Sequence, residues 1–200
     1  MRYMYNKLEH NIPESDQHKY HNERLAGFEI DLTVKKAVHV FQNCDIEDCR
    51  VRIKSNSNCT PNILSSNRWL SCAMWPSKEL SLNTIEADFI NCQFKGTWSG
   101  RIKGKVDNCN FSDANLLSFA FYDINSVGSN TFSGKDTVII ENAGTHHKEI
   151  KDQLSGKSNF GLHIRPDMGL YVFNIREHKD STVLMELLPE LPYVKFAEKA

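Results

Sequence analysis

No stretch of the sequence approaches the roughly 18 consecutive apolar residues of a membrane-spanning helix. Nor does its beginning, "MRYMYNKLEHNIPESDQHKYHNE", hold the apolar run that a secretory signal requires. The expectation is a soluble chain that stays where it is made, in a bacterial cytoplasm, with its six cysteines reduced. An excess of one charge is also missing, because 24 Lys and Arg stand against 25 Asp and Glu, with the signs mixed along the chain. Nucleic-acid binders and polyanion mimics carry a stronger bias than this. There is no C-x-x-C pair, no H-E-x-x-H, no G-x-S-x-G and no glycine-rich phosphate loop. The reading is therefore of a protein with no metal, no cofactor, no catalytic residues, no nucleic acid and no membrane partner.

What the chain does contain is a period of five. "VDNCNFSDANLLSFAFYD" places Cys109, Ala114 and Phe119 five apart, and Phe111, Leu116 and Phe121 two residues behind them. Neither a helix, with 3.6 residues per turn, nor a strand, with 2, produces that spacing. The same pairing occurs at His39 with Phe41, Cys44 with Ile46 and Cys49 with Val51. It returns at Leu82 with Thr84, Ala87 with Phe89, Cys92 with Phe94, Thr97 with Ser99 and Ile102 with Gly104. A two-residue slip follows near "GKVD", and the pattern weakens after Phe121, with Asn130 and Phe132 as a late echo. Two buried side chains in every five suit a chain that runs straight briefly and then turns a corner, so that four such steps close a squared coil. Successive coils stack like strands, about 4.8 Å apart. With the slip included, one coil takes about 22 residues by this strand-stacking argument. Phe89 is then expected over Phe111, Phe94 over Leu116, Ala87 over Cys109 and Cys92 over Ala114.

At these residues the sequence resembles the pentapeptide-repeat family, through "ADFIN CQFKG", "CNFSD ANLLS FAFYD" and "CDIED CRVRI". The resemblance covers about half the chain. It implies a mainly β fold, a short irregular right-handed quadrilateral β-helix with an N-terminal strand cap and a small α+β C-terminal segment. Residues 1–36 are read as an N-terminal segment whose strand "GFEIDLTV" caps the coil. Residues 37–133 are the coil itself, interrupted at about 54–83, and residues 134–200 form an α+β cap or subdomain. Within the last, "THHKEIKDQL" and "STVLMELL" read as helices and "GLYVFNIRE" as a strand. More loosely, "MWPSKELSLNTIEADFINCQFKGTWSG" is similar to small bacterial β-helix proteins, some of them encoded beside toxin genes.

Several residue groups invite a chemical reading, and each has a plainer one. Cys44, Cys49, Cys92 and Cys109 share the inward small-residue phase, which suits buried thiols; Cys59 and Cys72, in the interruption, are less constrained and are the only two worth checking for reactivity. His18 with His21, and His146 with His147, lack the carboxylate spacing of a metal or acid–base site. Glu86, Asp88, Asp107, Asp113 and Asp123 could serve a sugar-cleaving β-helix, yet the repeat itself favours acids or amides there. Arg101, Lys103 and Lys105 are too few for tight nucleic-acid binding. Trp69, Trp75 and Trp98 fall outside the inward phase and are expected on a protein-binding surface. The resulting expectation is a non-enzymatic protein-binding β-helix, which the resemblance makes an immunity or antitoxin protein that occludes a toxin. A DNA-mimicking protector of topoisomerases and a carbohydrate-active β-helix enzyme are the alternatives.

Overall fold

The five-residue spacing originates in a main-chain corner. In the computed structural model, which describes residues 6–11, 20–33, 40–54, 64–132, 134 and 136–197, the chain passes this corner once per turn. His18, Val34, His39 and Cys59 lie outside the described residues. Before the corner comes a short strand of one sheet: β3 (Arg24–Ala26), β6 (Asp45–Glu47), β8 (Arg68–Leu70), β11 (Asp88–Ile90) and β13 (Val106–Asp107). After it comes a strand of the main sheet: β4 (Phe28–Thr33), β7 (Arg50–Ile53), β9 (Ala73–Pro76), β12 (Gln93–Lys103) and β14 (Asn110–Phe121). Both sets run parallel with their neighbours, and β2 (Tyr20–His21) pairs parallel with β5 (Phe41–Gln42), which makes a mainly β solenoid of about four turns.

Each corner places one residue in the left-handed region: Gly27, Asp48, Ser71, Asn91 and Asn108, with φ of 71, 50, 53, 56 and 51°. Gly, Asn and Asp accept that conformation at least cost. The N–H groups of Gly27, Asp48, Ser71 and Asn91 donate to Glu47, Leu70, Ile90 and Asp107 of the following turn, at 2.8–3.0 Å. The next residue turns inward and forms a column of Phe28, Cys49, Cys72, Cys92 and Cys109. Every thiol in it meets two carbonyls, one two residues back and one in the preceding turn; for Cys92 these are Ile90 at 3.5 Å and Trp69 at 3.2 Å. Thiols are weak donors, but a small polarizable group fits where a larger side chain would not. Asn130 ends the column. Its Oδ1 accepts the Cys109 N–H at 2.9 Å, and its Nδ2 donates to the Val106 and Val127 carbonyls.

Large side chains fill the interior in register. One column is Leu25, Ile46, Trp69, Phe89 and Val106; a second is Ile30, Val51, Met74, Phe94 and Phe111, and Phe132 stacks on its end. Ring centroids in the second are 4.6 Å apart for Phe94 and Phe111 and 4.9 Å for Phe111 and Phe132. Full burial of each such side chain contributes about 1.5–3 kcal/mol.

The expected register is off by one five-residue step. The rungs Leu25, Ile46, Trp69, Phe89 and Val106 are separated by 21, 23, 20 and 17 residues, so the last turn is short rather than long. Phe89 lies opposite Val106, Phe94 meets Phe111, and Cys92 lies over Cys109. The reason lies in three glycines between Phe94 and Val106, with φ of 80° at Gly96, 132° at Gly100 and 123° at Gly104. Two of them bend β12 so that Trp98 and Ile102 face inward, four residues apart, instead of Thr97 and Ile102. Gly104 then turns straight into the next rung. Gly100 passes so near β10 (Leu80–Glu86) that a Cβ there would sit 1.8 Å from the Leu82 carbonyl oxygen.

Two further expectations are corrected. The interruption at 54–83 holds a regular rung, β8 and β9, which the chain reaches after a 23-residue step. The strand from Phe28 is not a cap: it is an inner rung, flanked on its far side by the parallel strand β1 (Asn6–Asn11). The C-terminal part does cover an end. Strands β15 (Thr137–Ile140), β16 (Leu170–Asn174) and β17 (Val194–Phe196) extend the main sheet, with β16 antiparallel to β14. Helices α1 (His147–Leu154) and α2 (Ser181–Leu187) pack over a second core that includes Ile150, Phe160, Phe173 and Leu184. Glu141 ties this part to the coil: its carboxylate accepts the Val127 N–H at 3.1 Å and pairs with Lys195 at 2.6 Å.

Three outcomes follow from this packing. In a double-mutant cycle on urea unfolding, Phe94→Leu and Phe111→Leu couple by about 0.5–1.5 kcal/mol, whereas Phe89→Leu and Phe111→Leu couple less; the reverse ranking would restore the 22-residue coil. An aromatic disulfide reagent leaves Cys44, Cys49, Cys72, Cys92 and Cys109 unmodified until denaturant is added, since all five are buried. Burial alone would raise the Glu141 pKa, but the Lys195 and Val127 bonds outweigh it and hold the carboxyl below its usual value. Its contribution is complete above the unfolded carboxyl pKa of about 4.3 and fades as pH falls through the lower folded value. Glu141→Gln therefore costs about 1–2 kcal/mol at pH 7, and the gap to the native protein narrows as unfolding is repeated at successively lower pH.

Candidate functional site

A solenoid interior built from columns leaves the alternate residues of each strand on the outside, again in columns. On the β3–β13 sheet one outward column reads Arg24, Asp45, Arg68, Asp88 and Lys105, alternating in sign at every rung. Cross-turn pairs such as Arg68 with Asp45, at 3.3 Å, come from this alternation. Exposed pairs of this kind contribute little each, about 0–1 kcal/mol, but they leave no single-sign face here.

The main sheet differs. Its outward residues place Arg52 beside Trp75, and Arg50 beside Ala73, which in turn neighbours Gln93. The small residues Ala73 and Gly96 leave a shallow hollow of about 540 Å³ between Arg50, Trp75, Pro76, Gln93 and Lys95. Trp75 is half-buried at its edge. Asp113, opposite Lys95 in the register, is occupied by Lys95 at 3.4 Å and by Gln93 Nε2 at 3.2 Å. The hollow thus combines an aromatic ring with a basic rim.

Of the three tryptophans expected on a binding surface, Trp75 alone reaches solvent. Trp69 and Trp98 are fully buried, so neither can touch a partner. Trp69 is a core rung whose Nε1 donates to the Leu64 carbonyl at 3.1 Å. Trp98 lies between Leu80 and Leu116, with its Nε1 on the Lys95 carbonyl at 2.8 Å. Their sequence positions misled because Trp69 belongs to a rung hidden by the altered spacing, and Trp98 follows the bend at Gly96.

Cys72, which the repeat left unconstrained, stands in the buried column. The Cys49 thiol beside it, with the burial, pushes its pKa up, and Cys92 and burial do the same at Cys109. His146 stacks on the Tyr193 ring at 3.7 Å, and His147 Nδ1 sits 2.8 Å from the Gly144 carbonyl, both at the start of α1; His21 is exposed. Among the described residues no three of His, Cys, Asp and Glu are grouped so as to hold a metal ion.

The acids Glu86, Asp88, Asp107, Asp113 and Asp123 are scattered over contacts of their own. Glu86 meets Lys103 at 3.9 Å and Asp88 accepts the Lys105 N–H at 2.8 Å. Bonds from Ser129 and then Lys105 hold the Asp107 carboxyl below its usual range. Asp123 accepts the Gly104 N–H. Arg101, Lys103 and Lys105 do not form a stripe, since Lys103 leans over the Tyr122 ring and Lys105 pairs with Asp107. No helix among the described residues is long and apolar enough to cross a membrane. Comparison with protein-family models, with curated proteins and with solved structures found no match for this chain.

Proposed function

We propose that this chain is a non-enzymatic recognition protein that offers the Trp75 hollow to an acidic surface on a protein partner. In its most concrete form it is a bacterial cytoplasmic immunity protein that occludes a cognate toxin, and its coil is of the right-handed, four-faced pentapeptide-repeat type. One observation carries the reading: Trp75 stands at the edge of a concave patch lined by Arg50 and Lys95, with Arg52 beside Trp75 in the register. Tryptophan and arginine are the residues most enriched among those that dominate protein interfaces. A stacked coil also holds its surface rigidly, which lowers the entropic cost of association. The five-residue step from Ile46 to Val51, Trp69 to Met74, Phe89 to Phe94 and Val106 to Phe111 supports the pentapeptide-type coil. The sign-alternating column from Arg24 to Lys105 is unlike a surface that imitates DNA.

The test is titration calorimetry of the purified chain against the product of the adjacent gene. Trp75→Ala should weaken binding about 30-fold, equivalent to about 2 kcal/mol, and leave the unfolding midpoint unchanged. The reading fails if the native chain does not bind that product, or if Trp75→Ala binds as well as the native chain.

A further inference from the structure

A second concavity, separate from the Trp75 hollow, opens where the coil meets the C-terminal part. It has a volume of about 360 Å³. Its floor is built from β10, β12 and β14, whose register brings Ser81, Ser99 and Ser118 into one column. Adjacent rungs lie about 4.8 Å apart, so three hydroxyls form a line at that spacing. Next to them the register runs Thr84, Arg101, Ala120 and Tyr171. Gly100 and Ala120 keep this floor low, and at Gly100 the approach of β10 excludes any side chain. The opposite wall is the segment after the turn at Phe160–Leu162, which supplies Leu162, His163 and Arg165.

Two features characterise this groove. Its charge is of one sign: Arg101 and Arg165 line it, and no carboxylate does. Lysines and arginines such as Arg24, Arg68 and Lys95 pair across the turns, while among the described residues neither of these two arginines makes an ion pair. The second feature is a hydroxyl pair, Ser118 Oγ and Tyr171 Oη, 2.6 Å apart, with Tyr171 only 4% exposed. When the buried Tyr171 donates, the exposed Ser118 hydroxyl keeps its hydrogen free to face the groove.

We propose that this groove binds a small phosphorylated polyol or sugar. Arg101 and Arg165 hold the phosphate by charge-assisted bonds, and the serine column with the free hydroxyl hydrogen of the Ser118–Tyr171 pair meets the polyol hydroxyls. Charge selects the anion, and a hydroxyl line at rung spacing selects a polyhydroxylated body over an apolar one. The volume lies within the range of small-molecule sites.

Titration calorimetry of the full chain with inorganic phosphate, glucose 6-phosphate and glucose tests the assignment. Glucose 6-phosphate should bind at least tenfold more tightly than phosphate, and glucose should not bind measurably. Arg101→Gln with Arg165→Gln should weaken glucose 6-phosphate at least tenfold. Ser99→Asp, which sets a carboxylate in the middle of the floor, should abolish it. Unfolding midpoints of the variants confirm that they are folded, and if Ser99→Asp is not, the arginine pair decides, since Arg165 is exposed and Arg101 half-buried. The proposal is overturned if neither anion binds at millimolar concentration, if phosphate alone binds as tightly as glucose 6-phosphate, or if the arginine variant binds unchanged.

Discussion

The whole solenoid depends on one corner, a left-handed residue followed by an inward-turned side chain that in four of the five described turns is a thiol. The left-handed residue turns the chain from one sheet to the other and presents its N–H to the next turn, while the thiol occupies the narrow space behind it. Both are needed at once. A β-branched residue at Asp48, Ser71, Asn91 or Asn108 would strain the backbone, and a bulky one at Cys72 or Cys92 would collide with the carbonyls of two turns. Because the corners stack, every turn repeats the constraint set by the one before it, and the inner columns follow.

With the interior so constrained, the outer face is free to vary, and it varies in an organised way. Residues that share an outward register position become neighbours across turns even though about 17 to 23 residues separate them in the chain. That geometry turns a mixed-charge sequence into alternating pairs on one sheet. On the other it gathers Trp75, Arg52, Gln93 and Lys95 into one patch. The same rule produces the serine column, drawn from three different turns. Function in such a fold resides in columns, so the fold limits where a site can be without dictating its chemistry.

The C-terminal part does more than close the sheet. By pairing antiparallel with β14 it protects an edge that would otherwise offer free N–H and C=O groups to another chain. Its own core, around Phe160 and Phe173, holds the segment carrying His163 and Arg165 against the coil. Glu141, between Val127 and Lys195, secures that arrangement.

The sequence by itself determined the solenoid principle, because the five-residue step is local: it counts residues from one strand, around a corner, to the next, as from Phe89 to Phe94. It also marked the C-terminal helices and the strand at Leu170–Asn174, whose periods are local too. What only the tertiary structure decided is which rung lies on which. Turn length depends on how sharply Gly96, Gly100 and Gly104 bend the chain, and on how far it travels between Ile53 and Leu64 before joining the next rung. Those distances moved Phe111 from Phe89 to Phe94, carried Trp69 and Trp98 into the core, and left Trp75 outside. The candidate sites share that dependence, since each is assembled from separate turns and none exists before the turns are stacked.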